Sequence, residues 1–360
     1  MKKNILYVLL FLFIIIGGLV FFFFNKLNHV NIDKSDEALG ISQSTPDIKN
    51  QQQIVDINSN NEEIKMNEDK NNQIAKENIE KQIAENNKIN NNDVINIALF
   101  GVDSRTTKND GRADSIMIAT IDFKNKKIKL TSLMRDMYVK IDGHGSTKLN
   151  HSYAYGGPQL AIKTINQNFG TDIRDYITVN FFTLEKIINV IGGVNINIKK
   201  EEINMLNDLV RGTANIEKTK YTKITQAGEQ LLDGQQAVAY ARIRYIGNSD
   251  FERTERQRSV LSAMITKTKE KIKDVGVLAN FISQVLPLVE TSMDSNTILS
   301  LGMDYIKTDG LELEQERFPV NGYYWDDMST GTYYLKFDKE KTKQQIFDYI
   351  FSDIRPIPKK

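Results

Sequence analysis

The chain contains no cysteine. That removes a disulfide scaffold, a thiolate-ligated zinc or iron–sulfur centre, and any thiol nucleophile. Histidine occurs three times, as His29, His144 and His151. A three-histidine catalytic metal site is not expected, since His29 lies far along the chain from the other two. Net charge is +1 over 360 residues, too little for a dedicated nucleic-acid binder, so no nucleic-acid partner is expected. There is no G-x-S-x-G elbow, no G-x-x-x-x-G-K-[ST] loop, no H-E-x-x-H and no G-x-G-x-x-G, which sets aside the common hydrolase, NTPase, zincin and dinucleotide templates. What is present suffices for a core: 40% of residues are hydrophobic and 26% charged, which excludes wholesale disorder.

These averages conceal three different polymers. Residues 1–4 carry Lys2 and Lys3, and Ile5–Phe24 then run without a charge for twenty positions. At ~1.5 Å per residue such a helix spans roughly 30 Å, one hydrocarbon core. No A-x-A-like site follows, so the run reads as an uncleaved signal-anchor and not as a cleaved leader. The two lysines place the N-terminus in the cytoplasm and the rest outside, against the cytoplasmic membrane. Residues 25–93 include 16 asparagines and eight lysines against thirteen Asp and Glu. That composition cannot offset chain entropy by burial and reads as a disordered linker. The whole-chain charge then leaves about +4 on the globular region from 94 onward, compatible with an anionic ligand.

Within 94–355 the apolar pattern alternates strands and helices. Val94–Val102 and Ser115–Phe123 read as strands buried on both faces, and Lys127–Met134 as a strand nearer an edge, after a tight turn at Asn125-Lys126. Pro158 after Gly156-Gly157 fits a helix start and Gly170 its stop. Further strands are expected at Tyr176–Phe181, Val194–Ile198 and near Leu311–Val320. Helices are expected at Phe182–Val190, Gln235–Ile243, Phe251–Ile272, Val275–Val289, Asn296–Ile306 and Lys339–Phe351. The fold class is α/β: a sheet covered by helices on both sides.

Three runs can carry chemistry. In Gly101-Val-Asp103-Ser-Arg105 and Gly111-Arg112-Ala-Asp114-Ser115, two carboxylates stand at strand ends. If the strands pair as a hairpin, Asp103 and Asp114 converge into a site for Mg²⁺ or Mn²⁺ shared with a phosphate; otherwise they are turn and cap residues. Arg135 ends the next strand in Leu133-Met-Arg-Asp136. Arg112 and Arg135 beside carboxylates are either surface ion pairs or a phosphate clamp. Between 242 and 258 stand five arginines and no lysine. Arg242 and Arg244 point the same way in an extended chain, and Arg253 and Gln257 share one helix face near its N-terminus. Arginine holds phosphate bidentately and cannot lose its charge, so an anion clamp competes evenly with a solvated face. The polar run Lys148–Gly157 is a loop satisfying its own backbone or a functional segment, and His144 reads as a loop residue.

Taken together and in order, these runs resemble the LytR-CpsA-Psr family of Gram-positive cell-envelope enzymes. The resemblance rests on 101–105, 111–115, Arg135-Asp136, Lys-Leu-Asn-His-Ser-Tyr at 148–153 and Val179-Asn-Phe181. It continues with Gly192-Gly-Val194, Leu-Asp-Gly-Gln-Gln-Ala at 232–237, Ala239–Arg244 and Asp250–Gln257. It is strongest over 94–270 and weaker to 355.

The resemblance implies an α/β/α domain with a central mixed sheet, outside the membrane on one N-terminal anchor. It implies transfer of a glycopolymer (teichoic acid, capsule or another wall polysaccharide) from a polyprenyl-pyrophosphate donor to a peptidoglycan acceptor. The new phosphodiester would form at the C6 hydroxyl of N-acetylmuramic acid. Family members also hold the lipid in an apolar tunnel between sheet and helices. The metal carboxylates would be Asp103 and Asp114. The pyrophosphate set would be Arg112, Arg135, Arg242, Arg244, Arg253 and Gln257, with Arg105 as a further member. Catalysis would fall to Arg135, Arg112 and Asp114, Asp114 taking the acceptor proton. Met134 stands where the family often has Pro, and Glu252, where Gly is common, would add negative charge beside the clamp. A polyprenyl-pyrophosphate hydrolase and a non-catalytic lipid-binding or regulatory envelope protein are the competing readings.

Overall fold

The computed structural model describes residues 28–41, 94–103, 111–244, 249–272, 275–308 and 311–359. The expected anchor at 5–24 and Arg105 lie outside them. Among the described residues no helix is long and apolar enough to cross a membrane.

In chain order the first elements are β1 (Asn28–His29), β2 (Val94–Val102), β3 (Ala113–Asp122), β4 (Lys127–Leu133), β5 (Tyr138–Ile141), β6 (Gly145–Lys148), α1 (Leu149–Phe169), β7 (Asp175–Asn180) and α2 (Phe181–Val190). Then come β8 (Val194–Ile198), α3 (Ile203–Glu217), β9 (Gly228–Leu232), α4 (Gly234–Ala241), α5 (Ser249–Lys271) and α6 (Val275–Val285). The chain ends with β10 (Glu290–Thr291), α7 (Ser295–Lys307), β11 (Glu312–Phe318), β12 (Tyr324–Asp327), β13 (Tyr334–Phe337) and α8 (Lys339–Phe351). The central sheet is mixed, in the order β1-β10-β7-β2-β3-β4-β11. β2, β3 and β4 form an antiparallel meander, while β7 joins β2 and β11 joins β4 in parallel.

One face of this sheet is packed solid. Ala98, Phe100, Ile116 and Ile118 share a fully buried cluster with Ile162 and Ile165 of α1 and with Ile346, Tyr349 and Ile350 of α8. The other face differs from expectation. Ile97 and Met117 on this face are buried, but Leu99, Ala119, Ile121, Ile177 and Val179 are only partly buried, so it is covered less completely than the first. Apolar side chains left accessible in the middle of a sheet forgo ~25 cal/mol per Å² of burial, and such a surface marks a place for an apolar ligand.

A second core lies beside the first. The antiparallel β8–β9 pair, with α3 between its strands in the chain, packs with α2, α3 and α4, and Val260 of α5 joins it. Gly193 closes the turn into β8 at φ +87, where a Cβ would come within 2.6 Å of the Leu232 carbonyl oxygen. α5 therefore touches both the second core and the sheet.

Two stretches depart from the sequence reading. The run Lys148–Gly157 is not a loop before a helix: α1 already begins at Leu149 and is interrupted at Gly156 and Gly157, the latter at φ +62. Pro158 thus opens the second part of the helix, as its fixed φ and missing N–H favour. The second departure is at 28–41, placed in the linker by composition. This segment packs as part of the same compact unit as 94 onward. β1 pairs with β10, Leu39 is fully buried, and Asn166 donates through Nδ2 to the Leu39 carbonyl at 2.9 Å. Composition misled because the few apolar residues that matter, Ile32, Leu39 and Ile41, are spaced among polar ones and find their partners only in the tertiary structure.

Candidate functional site

The two carboxylates converge through strand pairing. β2 and β3 pair down to Val102 opposite Ala113, and the Asp103 N–H donates to the Arg112 carbonyl at 3.3 Å. Asp103 and Asp114 thereby line one cavity of about 190 Å³ with Arg242, Arg244, Arg253 and Gln257. The cavity lies where the end of the β2–β3 hairpin meets the end of α4 and the first turns of α5. Those α5 residues are four apart, and the geometry of a helix gives them one face.

Asp114 sits at the centre of the ionic network. Its Oδ1 accepts from Arg135 Nη1 at 2.5 Å and its Oδ2 from Arg244 Nη2 at 2.9 Å. Arg135 Nε donates to Asp250 Oδ2 at 3.0 Å and lies 3.3 Å from Asp136 Oδ2. Burial disfavours the charge on Arg135, but Asp114, Asp250 and Asp136 more than compensate and raise its pKa. Asp136 is itself held below the usual carboxylate range despite burial, by Lys148 at 2.7 Å and by Arg135. Arg242 stacks on the ring of Phe181 at 4.7 Å and donates to Thr213 Oγ1 at 3.3 Å.

Arg253 is the most telling member. It is 2% exposed, and only Nη2 has a partner, Asp250 Oδ2 at 3.2 Å. Its Nε and Nη1 are buried without a hydrogen-bond partner. Burial and then neighbouring Arg135 push its pKa down to about 10. Unpaired buried donors on a cation cost several kcal/mol in order of magnitude, so this guanidinium, at the wall of the cavity, is left short of acceptors.

Arg112 stands apart: it is exposed and contributes its carbonyl to Asp103. Glu252, expected beside the clamp, has an ion-pair partner on its own helix. Its Oε2 accepts from Arg256 Nη2 at 2.9 Å, one turn along α5. Met134 is buried, and its sulfur accepts from Thr254 Oγ1 at 3.6 Å, tying the end of β4 to α5. Asp250, Asp136, Lys148 and Phe181 were named in motifs but given no role. Their signal was residue type beside the clamp, and only the fold shows what they touch.

A model of the LytR_cpsA_psr family matches residues 53–348 of the chain. The polyisoprenyl-teichoic acid–peptidoglycan teichoic acid transferase TagU of Enterococcus faecalis is 29% identical over 257 residues, 70% of this chain and 78% of that one. The regulatory protein MsrR of Staphylococcus aureus is 30% identical over 272 residues, 74% of this chain and 78% of that one. Among solved structures, the LytR-CPS2A-psr family protein YwtF (TagT) with bound octaprenyl pyrophosphate lipid aligns with a TM-score of 0.53 at 25% identity. It covers 71% of this chain and 90% of that one.

Proposed function

The chain belongs to the LytR-CpsA-Psr family, and from that membership and the cavity we propose that it is a glycopolymer–peptidoglycan phosphotransferase. The donor is a polyprenyl-pyrophosphate-linked wall glycopolymer (teichoic acid, capsule or another polysaccharide) and the acceptor the N-acetylmuramic acid C6 hydroxyl of peptidoglycan. The observation that carries this reading is the buried, incompletely paired Arg253 guanidinium, a residue that lines the cavity together with Arg242, Arg244 and Gln257. A pyrophosphate supplies the missing acceptors. The partly buried apolar row on the sheet, Leu99, Ile177 and Val179, offers a polyprenyl chain a surface that water otherwise covers.

In the transfer, the acceptor oxygen forms a bond to the phosphorus that carries the glycopolymer. The bond from that phosphorus to the bridging oxygen breaks, and polyprenyl phosphate leaves with the bond's electron pair. The hydroxyl proton passes to a carboxylate, for which Asp114 is the candidate. Arg135, Arg242, Arg244 and Arg253 neutralise the charge that accumulates on the phosphoryl oxygens, which is most of what such a reaction asks of a protein. Arg112, exposed and outside the lining of the cavity, and Arg105 belong to the same proposed pyrophosphate set. Asp103 and Asp114 provide two hard oxygen donors, and no cluster of three or more His, Asp or Glu ligands stands among the described residues. That donor set fits Mg²⁺ or Mn²⁺, which keeps water and phosphate ligands; bound there, the ion supplies charge to the pyrophosphate. The proposed location is the cytoplasmic membrane, single-pass, with the C-terminal domain outside.

The test uses the full chain in detergent with a polyprenyl-pyrophosphate oligosaccharide and a peptidoglycan oligomer, with and without Mg²⁺. Coupled product is expected by mass spectrometry, together with polyprenyl phosphate. Arg135→Ala is expected to lower turnover by about 10²–10³-fold, the scale of losing one charge-stabilising donor, with unchanged circular dichroism. Release of polyprenyl phosphate with no coupled product under any acceptor would favour the hydrolase, and an active Arg135→Ala would remove the clamp from the mechanism.

A further inference from the structure

The run Lys148–Gly157 has no part in donor binding as described, yet it is built onto a clamp residue. The Asn150 N–H donates to the Arg135 carbonyl at 3.1 Å, and the Leu149 N–H to the Met137 carbonyl at 2.9 Å. The first turn of α1 therefore starts on the main chain of Arg135 itself. A row of rings leads outward from that point. Lys148, 2.7 Å from Asp136, lies under the ring of Tyr333 at 5.5 Å. His151, one turn on, has Nδ1 3.0 Å from Thr147 Oγ1. Tyr155 follows at 5.8 Å from His151, and His144 at the tip of the β5–β6 hairpin stacks on Tyr155 at 4.4 Å and 20°. Tyr155 is 48% exposed, and His144 is exposed too. The helix breaks at Gly156 and Gly157 immediately afterwards, so the row ends where the first part of α1 ends.

We infer that this row is the subsite for the acceptor glycan, with a hexopyranose ring of peptidoglycan lying flat on an outer face of the Tyr155–His144 stack. The inference rests on the transferase reading and adds to it the place of the second substrate. A glycan strand presents apolar C–H faces and hydroxyl edges, and rings that are flat and accessible with polar rims match both. Charge argues the same way. Of the proposed pyrophosphate set, Arg242, Arg244 and Arg253 line the cavity, whereas Lys148 is already paired with Asp136. His151 has its pKa lowered by burial and then by Arg112 and Lys148, so it is neutral at neutral pH and offers nothing to attract the donor phosphates. Position completes the argument. The inner end of the row is Lys148, Asp136 and Arg135, so a glycan on it carries a hydroxyl toward the clamp, the alignment that converts an encounter into reaction.

The experiment separates the two substrates. The full chain in detergent is titrated with a peptidoglycan glycan oligomer, without donor, for binding by NMR, and then with donor for transfer. Tyr155→Ala is expected to weaken glycan binding and raise the acceptor concentration for half-maximal transfer about five- to tenfold, the scale of one lost ring contact. Donor half-saturation should be unchanged, and Tyr155→Phe and the parent should behave alike. His144→Ala should shift acceptor saturation in the same direction. If Tyr155→Ala transfers with unaltered acceptor saturation, or if donor half-saturation moves instead, the row is not the acceptor subsite, although the transferase reading survives. If no acceptor supports transfer but the glycan binds and Tyr155→Ala loses it, the subsite stands and the transferase reading fails. A parent chain that does not bind the glycan overturns the inference.

Discussion

Arg253 and Asp114 show how single residues prepare this site for a charged ligand. Asp114 holds two guanidiniums in place at 2.5 and 2.9 Å, while Arg253 keeps two donors unpaired. Charges are positioned before the ligand arrives, so little reorganisation remains for the transition state. A different residue carries a cost of burial that pH can expose. Burial, with Glu217 and Asp233 adding to it, raises the Glu185 carboxyl from 4.5 to about 7. The folded chain then keeps a proton that the unfolded chain has released, so stability falls as pH rises through that window and stays lower above it. Glu185→Gln should therefore melt higher than the parent at about pH 8, by roughly 1 kcal/mol once solvent screening of a partly exposed group is allowed for. The two melting curves should converge toward about pH 4 in the same scan.

At the scale of elements, α5 joins the sheet, the second core and the clamp. Arg256 is its anchor. It is 3% exposed, donates from Nε to Glu202 Oε1 at 2.8 Å, and donates from Nη1 to the Ile243 carbonyl at 3.3 Å. That carbonyl lies between Arg242 and Arg244, so the same side chain that docks the helix also steadies the segment after α4 that carries two clamp arginines. Glu202 is 1% exposed, and removing its partner leaves a buried charge. Arg256→Ala should cost about 3–5 kcal/mol of stability, measured by denaturant unfolding. The periodicity of α5 was legible in the chain, as was the four-residue spacing of Arg253 and Gln257. The bond to Glu202 was not, since it joins residues 54 positions apart and nothing local marks a glutamate that becomes buried.

The whole molecule owes part of its edge to the N-terminal segment. Lys34 pairs with Asp175 and Arg174 with Asp36, but these exposed pairs contribute little. Leu39, fully buried among α1 residues, contributes about 2–3 kcal/mol by itself. A chain starting at Val94 should thus melt about 5 °C or more below one starting at Asn28, a difference that calorimetry on the two proteins reads directly. An equal melting temperature would mean that the segment rests on the domain without supporting it.

Much of this protein was determined by the sequence alone. Alternating strand and helix patterns dictated an α/β fold, since each pattern has one geometry that buries its apolar side. Two strand ends close in sequence offered a hairpin joining Asp103 and Asp114 as one of two readings, and strand pairing in the fold chose it. Helical spacing put Arg253 beside Gln257, and the motifs in order identified the family. Tertiary structure alone decided the rest. It chose which carboxylates meet which arginines, left one sheet face less completely covered, and drew 28–41 onto the domain. It also set His144 against Tyr155 from two different elements. Local preference acts over a few residues, and a polar side chain's partner or an apolar face's cover is set by whatever distant segment the fold brings within a few ångströms.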